Sequence, residues 1–271
     1  MKHIAAWGLF CWFVVGALGC RNSVEIIAHR GASYLAPENT MASVMLGWEK
    51  HADVEVDVYL SKDNRIVVIH DATTKRTGGV DLKVAETDSH ELRRLDVGCF
   101  KAQEYAGERI PFLEDVIATV PPTQKLYIEI KCKKEILPLL HQLLMESGKM
   151  SQMAIIGFDL DTVTASKQTI DVPTYWLKGT DKVKETEEWI PHDPNLAQIA
   201  KDKGLDGVDV HYAGVTEEFV RAVRAQGLKL YVWTVDDPDE ARRLVKLGVD
   251  GITTNRPAWL REQLKNGTPA Q

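Results

Sequence analysis

From Val24 onward, short apolar runs alternate with helix-like segments, and this alternation leaves few folds open. The runs are Glu25–His29, Asp53–Tyr59, Arg65–His70, Lys125–Lys131, Met153–Phe158, Pro173–Leu177, Asp206–His211, Lys229–Val235 and Asp250–Thr254. Apolar strands separated by helices belong in a parallel sheet covered on both faces. Nine strands is one too many for a (β/α)8 barrel. The interval from Leu60 to Asn64 resolves the count, because it allows a hairpin but not a parallel crossover. Arg65–His70 is therefore read as the return arm of a hairpin on the second strand. The other eight make a single TIM-type barrel over residues 24–262.

Helix signals fit this scheme. Asp237-Pro238-Asp239-Glu240 supplies an N-cap, a proline at N1 and an acid at N3, and Gly248 stops that helix. A last helix starts at about Pro257. The irregular stretch Asp71–Pro111, with one modest helix around Ser89–Leu95, is long for a loop in a compact domain. Together with the hairpin it forms a small insertion over about 60–111, expected above the barrel mouth as a lid or substrate-selecting element. Its deletion should change substrate preference.

The first residues stand outside this pattern. Met1-Lys2-His3 is basic, Ile4 to Gly19 carries no charge, and Cys20 precedes polar Arg21-Asn22-Ser23. The apolar run is short for a membrane span and suits an export signal. Ala17-Leu18-Gly19-Cys20 resembles the box at which bacterial lipoprotein signals are cut, although Ala17 stands where Leu is commonest. The expectation is a signal peptide over 1–19, lipidation of Cys20, and a periplasmic or cell-surface protein anchored to the membrane. Cys99 and Cys132 are then left in an oxidising compartment; two buried free thiols are favoured over a disulfide. A net charge of −6 and the lack of a basic stripe argue against nucleic acid as partner.

Glu55 and Asp57 alternate with Val54, Val56 and Val58, so both carboxylates point to one side of a strand and the valines to the other. In a barrel the carboxylates face inward, where like charges repel unless a cation or proton intervenes. Glu129 and Lys131 repeat the geometry. Three carboxylates facing one cavity describe a site for one Mg²⁺ or Ca²⁺. The alternative is a buried Glu129–Lys131 pair with Glu55 and Asp57 solvated at the rim. His29 closes the first strand beside Arg30, whose guanidinium can fork onto phosphate oxygens. The hairpin returns His70 to the same rim, so that one imidazole can remove a proton and the other give one.

Pro37-Glu38-Asn39-Thr40 opens a helix, with Asn39 or Thr40 as its cap and Glu38 placed to hold His29 or Arg30. Trp233 offers either an aromatic wall at the cavity mouth or core packing. Asp209 and His211 also end a strand, but nothing else in the sequence singles them out, and they stay outside the catalytic set.

The ordered set of these motifs resembles the glycerophosphodiester phosphodiesterases. It comprises His29-Arg30-Gly31, Pro37-Glu38-Asn39-Thr40, Glu55-Val56-Asp57, Val67–Asp71 with Arg76-Thr77, Gly107–Glu114, Glu129-Ile130-Lys131, Trp233-Thr234-Val235 and Asp250–Pro257. The resemblance implies a TIM-type barrel that hydrolyses glycerophosphodiesters to glycerol 3-phosphate and an alcohol. It implies a divalent cation on Glu55, Asp57 and Glu129, His29 and His70 as acid and base, and Arg30 and Lys131 on the phosphate. Phe112 replaces a common Thr, and Cys99-Phe100 also departs from the pattern; both bear on substrate choice. The principal rival is a membrane-anchored phospholipase or lyase acting on intact or lyso-phospholipids. A catalytically dead phosphodiester-binding protein and a sugar-phosphate isomerase are weaker rivals, the latter giving no role to two histidines.

Overall fold

The computed structural model describes residues 24–266. The expected signal segment and Cys20 lie outside the described residues. The strands are β1 (Glu25–Ala28), β2 (Asp53–Leu60), β3 (Ile66–Val68), β4 (Leu126–Ile130), β5 (Met153–Gly157), β6 (Thr174–Lys178), β7 (Gly207–His211), β8 (Lys229–Trp233) and β9 (Gly251–Thr254). The helices are α1 (Met41–Glu49), α2 (Lys75–Gly78), α3 (Ser89–Leu92), α4 (Leu113–Ala118), α5 (Leu137–Ser147), α6 (Leu160–Thr169), α7 (Asn195–Asp202), α8 (Glu217–Ala225), α9 (Pro238–Leu247) and α10 (Pro257–Asn266).

Eight strands pair in parallel in the order β1-β9-β8-β7-β6-β5-β4-β2, and β2 pairs back onto β1 to close the ring. The ninth, β3, is antiparallel to β2 with Val58 opposite Val68. The hairpin reading holds, and the eight-stranded barrel with it. Asn64 takes a left-handed φ of +58° in its turn, and Ser61 N–H donates to the Arg65 carbonyl at 2.9 Å.

Alternation on the strands sorts side chains between two cores. Val54, Val56 and Val58 point outward and pack with Val44 and Trp48 of α1, Val116 of α4 and Leu140 of α5. On the opposite side of the ring Val208, Val210, Leu230 and Val232 meet Phe219, Val223 and Leu244 of α8 and α9. Inward-facing Tyr127, Tyr175 and Tyr231 fill the barrel's lower half with ring centroids 4.7–6.4 Å apart. The Tyr127 hydroxyl donates to Glu25 at 2.8 Å. These rings make a floor, and the space above it opens at the C-terminal ends of the strands, the usual location of active sites on this fold.

The caps follow the sequence. Asp237 accepts from the N–H groups of Asp239 and Glu240 at 2.8 and 3.2 Å, and Gly248 ends α9 at φ +95°. Thr40, not Asn39, caps α1 and exchanges hydrogen bonds with Ser43. The last helix runs from Pro257 to Asn266, as its start at about Pro257 led one to expect.

The insertion is ordered around its own small core of Val67, Ile69, Val84, Leu92, Val97 and Ile110. It leans on the β1–α1 loop, where Lys101 Nζ donates to the Ser33 carbonyl at 2.8 Å and the Tyr105 hydroxyl to the Leu35 carbonyl at 2.9 Å. Cys99 and Cys132 are both free, but Cys99 is exposed and Cys132 only half-buried. Asp96 explains this, drawing the Gly98, Cys99 and Gly107 N–H groups into a tight surface loop. Phe112 lies between the guanidinium groups of Arg65 and Arg93, 3.9 and 4.2 Å from its ring centre, and does not line the cavity described below.

Candidate active site

Above the tyrosine floor lies a cavity of about 140 Å³. His29, Arg30, Glu55, His70, Glu129, Lys131 and Trp233 all line it. Asp57 lies buried beneath them, and one oxygen each from Glu55, Asp57 and Glu129 fall within 4.8 Å of one another. Register explains the cluster, since β2 and β4 pair Asp57 directly with Glu129 and Glu55 lies two residues below Asp57 on the same face.

The two cations do not satisfy these three carboxylates. Lys131 Nζ donates to Glu129 at 2.8 Å and lies 3.5 Å from Asp57. Arg30 N–H donates to Glu55 at 2.8 Å, and Arg30 Nε lies 3.4 Å from Asp57. Among the described residues, Glu55 Oε1 and Asp57 Oδ1 remain buried without a hydrogen-bond partner. Burial and the Asp57 charge outweigh Lys131 and push Glu129 up to about 7. Burial, then Asp57 and Glu129, push Glu55 well above the carboxylate range. A hard, oxygen-seeking dication fits this set: it would ligate the orphaned oxygens and remove the mutual repulsion.

Both imidazoles are held through Nδ1. His29 meets Asn255 Oδ1 at 2.7 Å. Asn255 cannot turn its NH₂ to His29, because that group donates to Asp236 at 2.6 Å and the Asn255 N–H donates to the same carboxylate at 2.9 Å. The amide oxygen therefore accepts, His29 carries its proton on Nδ1, and Nε2 holds the lone pair. Burial and then the Arg30 charge lower the His29 pKa, favouring the neutral ring. His70 Nδ1 donates to Asp71 at 2.6 Å, which leaves its Nε2 as the exchanging nitrogen.

A chain of ion pairs runs from His70 to Arg30. Arg76 Nε donates to Asp71 at 2.7 Å, and its two Nη atoms donate to Glu38 at 2.7 and 2.8 Å. Glu38 in turn accepts from Arg30 Nη1 at 2.8 Å. Burial opposes ionisation of Glu38, but Arg76 and Arg30 hold it at about 2. Glu38 thus holds Arg30 and not His29. Asn39 donates to Asp57 at 2.7 Å with a left-handed φ of +56°, so its work is to hold a carboxylate. At Gly31 a Cβ would lie 2.5 Å from the Ser43 carbonyl carbon; only glycine lets the loop pass α1 so closely.

Sequence reasoning passed over two of these residues. Asp236 precedes the cap Asp237, which carried the obvious helix signal. Asp209, set aside earlier, lines the cavity. His211 does not line it, and stacks against Trp189 and Tyr212 instead. Trp233 lines the cavity, packs against the tyrosine cluster and donates Nε1–H to the Asp209 carbonyl at 3.2 Å.

Comparison with known proteins gives this barrel its family. The profile of the glycerophosphoryl diester phosphodiesterase family matches residues 29–259. A glycerophosphodiester phosphodiesterase of Caldanaerobacter subterraneus is 31% identical over 251 residues, covering 89% of this chain and 98% of that one. One from Bacillus subtilis is 29% identical over 261 residues, covering 89% and 87%. Among solved structures, a phosphodiesterase of Oleispira antarctica in complex with the product sn-glycerol-3-phosphate has a TM-score of 0.77 at 25% identity. That likeness covers 89% of this chain and 96% of the other. The match begins at His29 and runs past Thr253, so the whole cavity falls inside it, and the chain belongs to the glycerophosphoryl diester phosphodiesterase family of phosphoric diester hydrolases.

Proposed function

We propose that the protein hydrolyses glycerophosphodiesters to glycerol 3-phosphate and an alcohol, with one divalent cation, Mg²⁺ or Ca²⁺, on Glu55, Asp57 and Glu129. One observation carries the reading. Two imidazoles, each with Nδ1 already engaged, line the same cavity as Arg30, Lys131 and the carboxylate cluster.

When bound, the dication would neutralise phosphate oxygens and ease attack at phosphorus. Arg30 and Lys131 bind the remaining phosphate charge. His29, neutral with its lone pair on Nε2, takes the proton of the attacking oxygen. His70, protonated on both nitrogens, gives its Nε2 proton to the oxygen of the departing alcohol, while Asp71 keeps the ring oriented. The attacking oxygen belongs to water or to the substrate's own glycerol hydroxyl. In the second case a cyclic phosphate forms, and water opens it with the histidines in exchanged roles.

Release of glycerol 3-phosphate from glycerophosphocholine and glycerophosphoethanolamine tests this directly, with residues 21–271 assayed in Mg²⁺, Ca²⁺ or EDTA. Metal-dependent release is expected; silence from the folded, metal-supplied protein overturns it. A second reading, action on lyso-phospholipids, draws on three exposed side chains: Tyr34 and Leu35 in the β1–α1 loop, and Phe100 in the insertion that leans on it. Faster turnover of lysophosphatidylcholine than of glycerophosphocholine would favour that reading. Anchoring through lipidated Cys20 in the periplasm or at the cell surface accords with either substrate. Intact-mass analysis of membrane-purified protein tests it, and an unmodified Cys20 would reject it.

A further inference from the structure

Among the described residues, Asp209 is the one cavity-lining carboxyl that neither the proposed cation nor an ion pair accounts for. It is on β7, four strands around the ring from β2 and so across the barrel from the acidic cluster. Register sets it between Leu177 of β6 and Tyr231 of β8. Only 2% of the residue is exposed, and Oδ1 has no hydrogen-bond partner among the described residues. Its wall is otherwise apolar, made by Ile156, Leu177 and the Trp233 ring. A carboxyl left unbonded in such a place costs stability, and a partner arriving from outside would satisfy it.

We propose that Asp209 binds the glycerol hydroxyls of the substrate and thereby selects glycerophosphodiesters over other phosphodiesters. The assignment rests on the phosphodiesterase reading above. A phosphate would be drawn to Arg30 and Lys131 on the facing wall and kept from a carboxyl. What reaches Asp209 must therefore be a hydrogen-bond donor joined to the phosphate by a short linker. Glycerol hydroxyls fit, and so in principle does the ammonium of a headgroup. Two features choose between them. Asp209 is at the closed end of the cavity, whereas Phe158, 47% exposed, marks its open end. The closed end suits the half that every substrate shares, and the open end suits the alcohol that varies. Burial, with the Glu129 charge adding to it, also pushes the Asp209 carboxyl well above its ordinary range. A neutral carboxyl both donates to and accepts from hydroxyls, but offers an ammonium little.

Calorimetry with the Mg²⁺-supplied protein separates these cases. The probes are sn-glycerol 3-phosphate, n-propyl phosphate (the same three-carbon chain without hydroxyls) and phosphoethanolamine. Wild type should bind glycerol 3-phosphate about 10–100-fold more tightly than n-propyl phosphate, the range expected for hydrogen bonds to one carboxyl group. Asp209→Leu should erase that preference and leave n-propyl phosphate within about threefold of wild type. Asp209→Asn, which still donates and accepts, should retain part of it. The same loss should appear mainly in KM for glycerophosphoethanolamine, and the Leu variant should melt no lower than wild type.

Equal weakening of all three ligands in Asp209→Leu, or an unchanged preference, would overturn the assignment. So would a selective loss of phosphoethanolamine binding. If the Leu variant does not fold, full wild-type preference with a hydrophobic Asp209→Ala replacement serves as the refutation. Wild type that neither binds glycerol 3-phosphate nor cleaves glycerophosphodiesters would instead bring down the phosphodiesterase reading, and this assignment with it.

Discussion

The barrel interior has two layers built on the same strands, and they obey opposite rules. In the lower layer Tyr127, Tyr175 and Tyr231 pack ring to ring, and the Tyr127 hydroxyl is bonded to Glu25. Two residues further along β4 the side chain is Glu129, and two further along β8 it is Trp233 at the cavity wall. The upper layer holds three carboxylates within 4.8 Å and leaves oxygens of Glu55, Asp57 and Asp209 unbonded. Leaving a buried polar group unpaired costs about 1–3 kcal/mol. A strand can therefore support the fold with one residue and carry a destabilising, reactive group at the next inward position. The division between stability and chemistry runs across the barrel axis, not between one strand and another.

That contrast can be broken most sharply at the histidines. His29→Ala or His70→Ala should lower kcat about 10²–10⁴-fold while the melting transition stays in place. Near-normal turnover in either variant would remove it from the acid–base pair. The opposite outcome is expected below. Tyr127→Ala should cost about 3–5 kcal/mol in urea unfolding, as truncation of a buried aromatic does, with kcat per folded molecule retained. A Tyr127→Ala protein that is stable but inactive would erase the boundary between the layers.

Smaller effects sharpen the picture. A dication at about 100 times its dissociation constant should stabilise the protein by about 2.7 kcal/mol, and EDTA should reverse this. Glu129→Gln should weaken that response; an undiminished one would exclude Glu129 as a ligand. Without metal, pH reports the repulsion itself. The folded-state Glu129 carboxyl is raised from 4.5 to about 7, so the folded protein holds that proton more tightly than the unfolded chain. Its contribution to stability is complete below about 4.5 and is lost as pH rises through about 7. Glu129→Gln should flatten that decline, which thermal melts across the window would show.

Much of the upper layer was legible because its residues alternate with apolar ones. Val54, Val56 and Val58 announce which side of β2 is outside, and Glu55 and Asp57 are left facing in. The barrel count was equally legible, because a link as short as Leu60–Asn64 permits only a hairpin. What escaped notice depends on contacts between distant parts of the chain. Asp236 orients Asn255, and through it His29, across 19 residues and the β8–β9 unit. Nothing near Asp236 in the sequence marks this. Asp209 resembles any polar residue late in a strand until the absence of a partner is seen. Cys99 was expected to be a buried free thiol; Asp96 instead gathers the surrounding N–H groups at the surface.

The tyrosine floor also governs traffic. Because Tyr127, Tyr175 and Tyr231 close the lower barrel, substrate and both products share a single doorway at the strand ends. Two products in a dead-end passage leave in sequence, the one nearer the entrance first and the one against the floor last. The molecule held deepest is then the one whose accumulation blocks the next substrate. Inhibition by that last occupant is therefore the expected outcome, and initial rates measured with each product added in turn would reveal it.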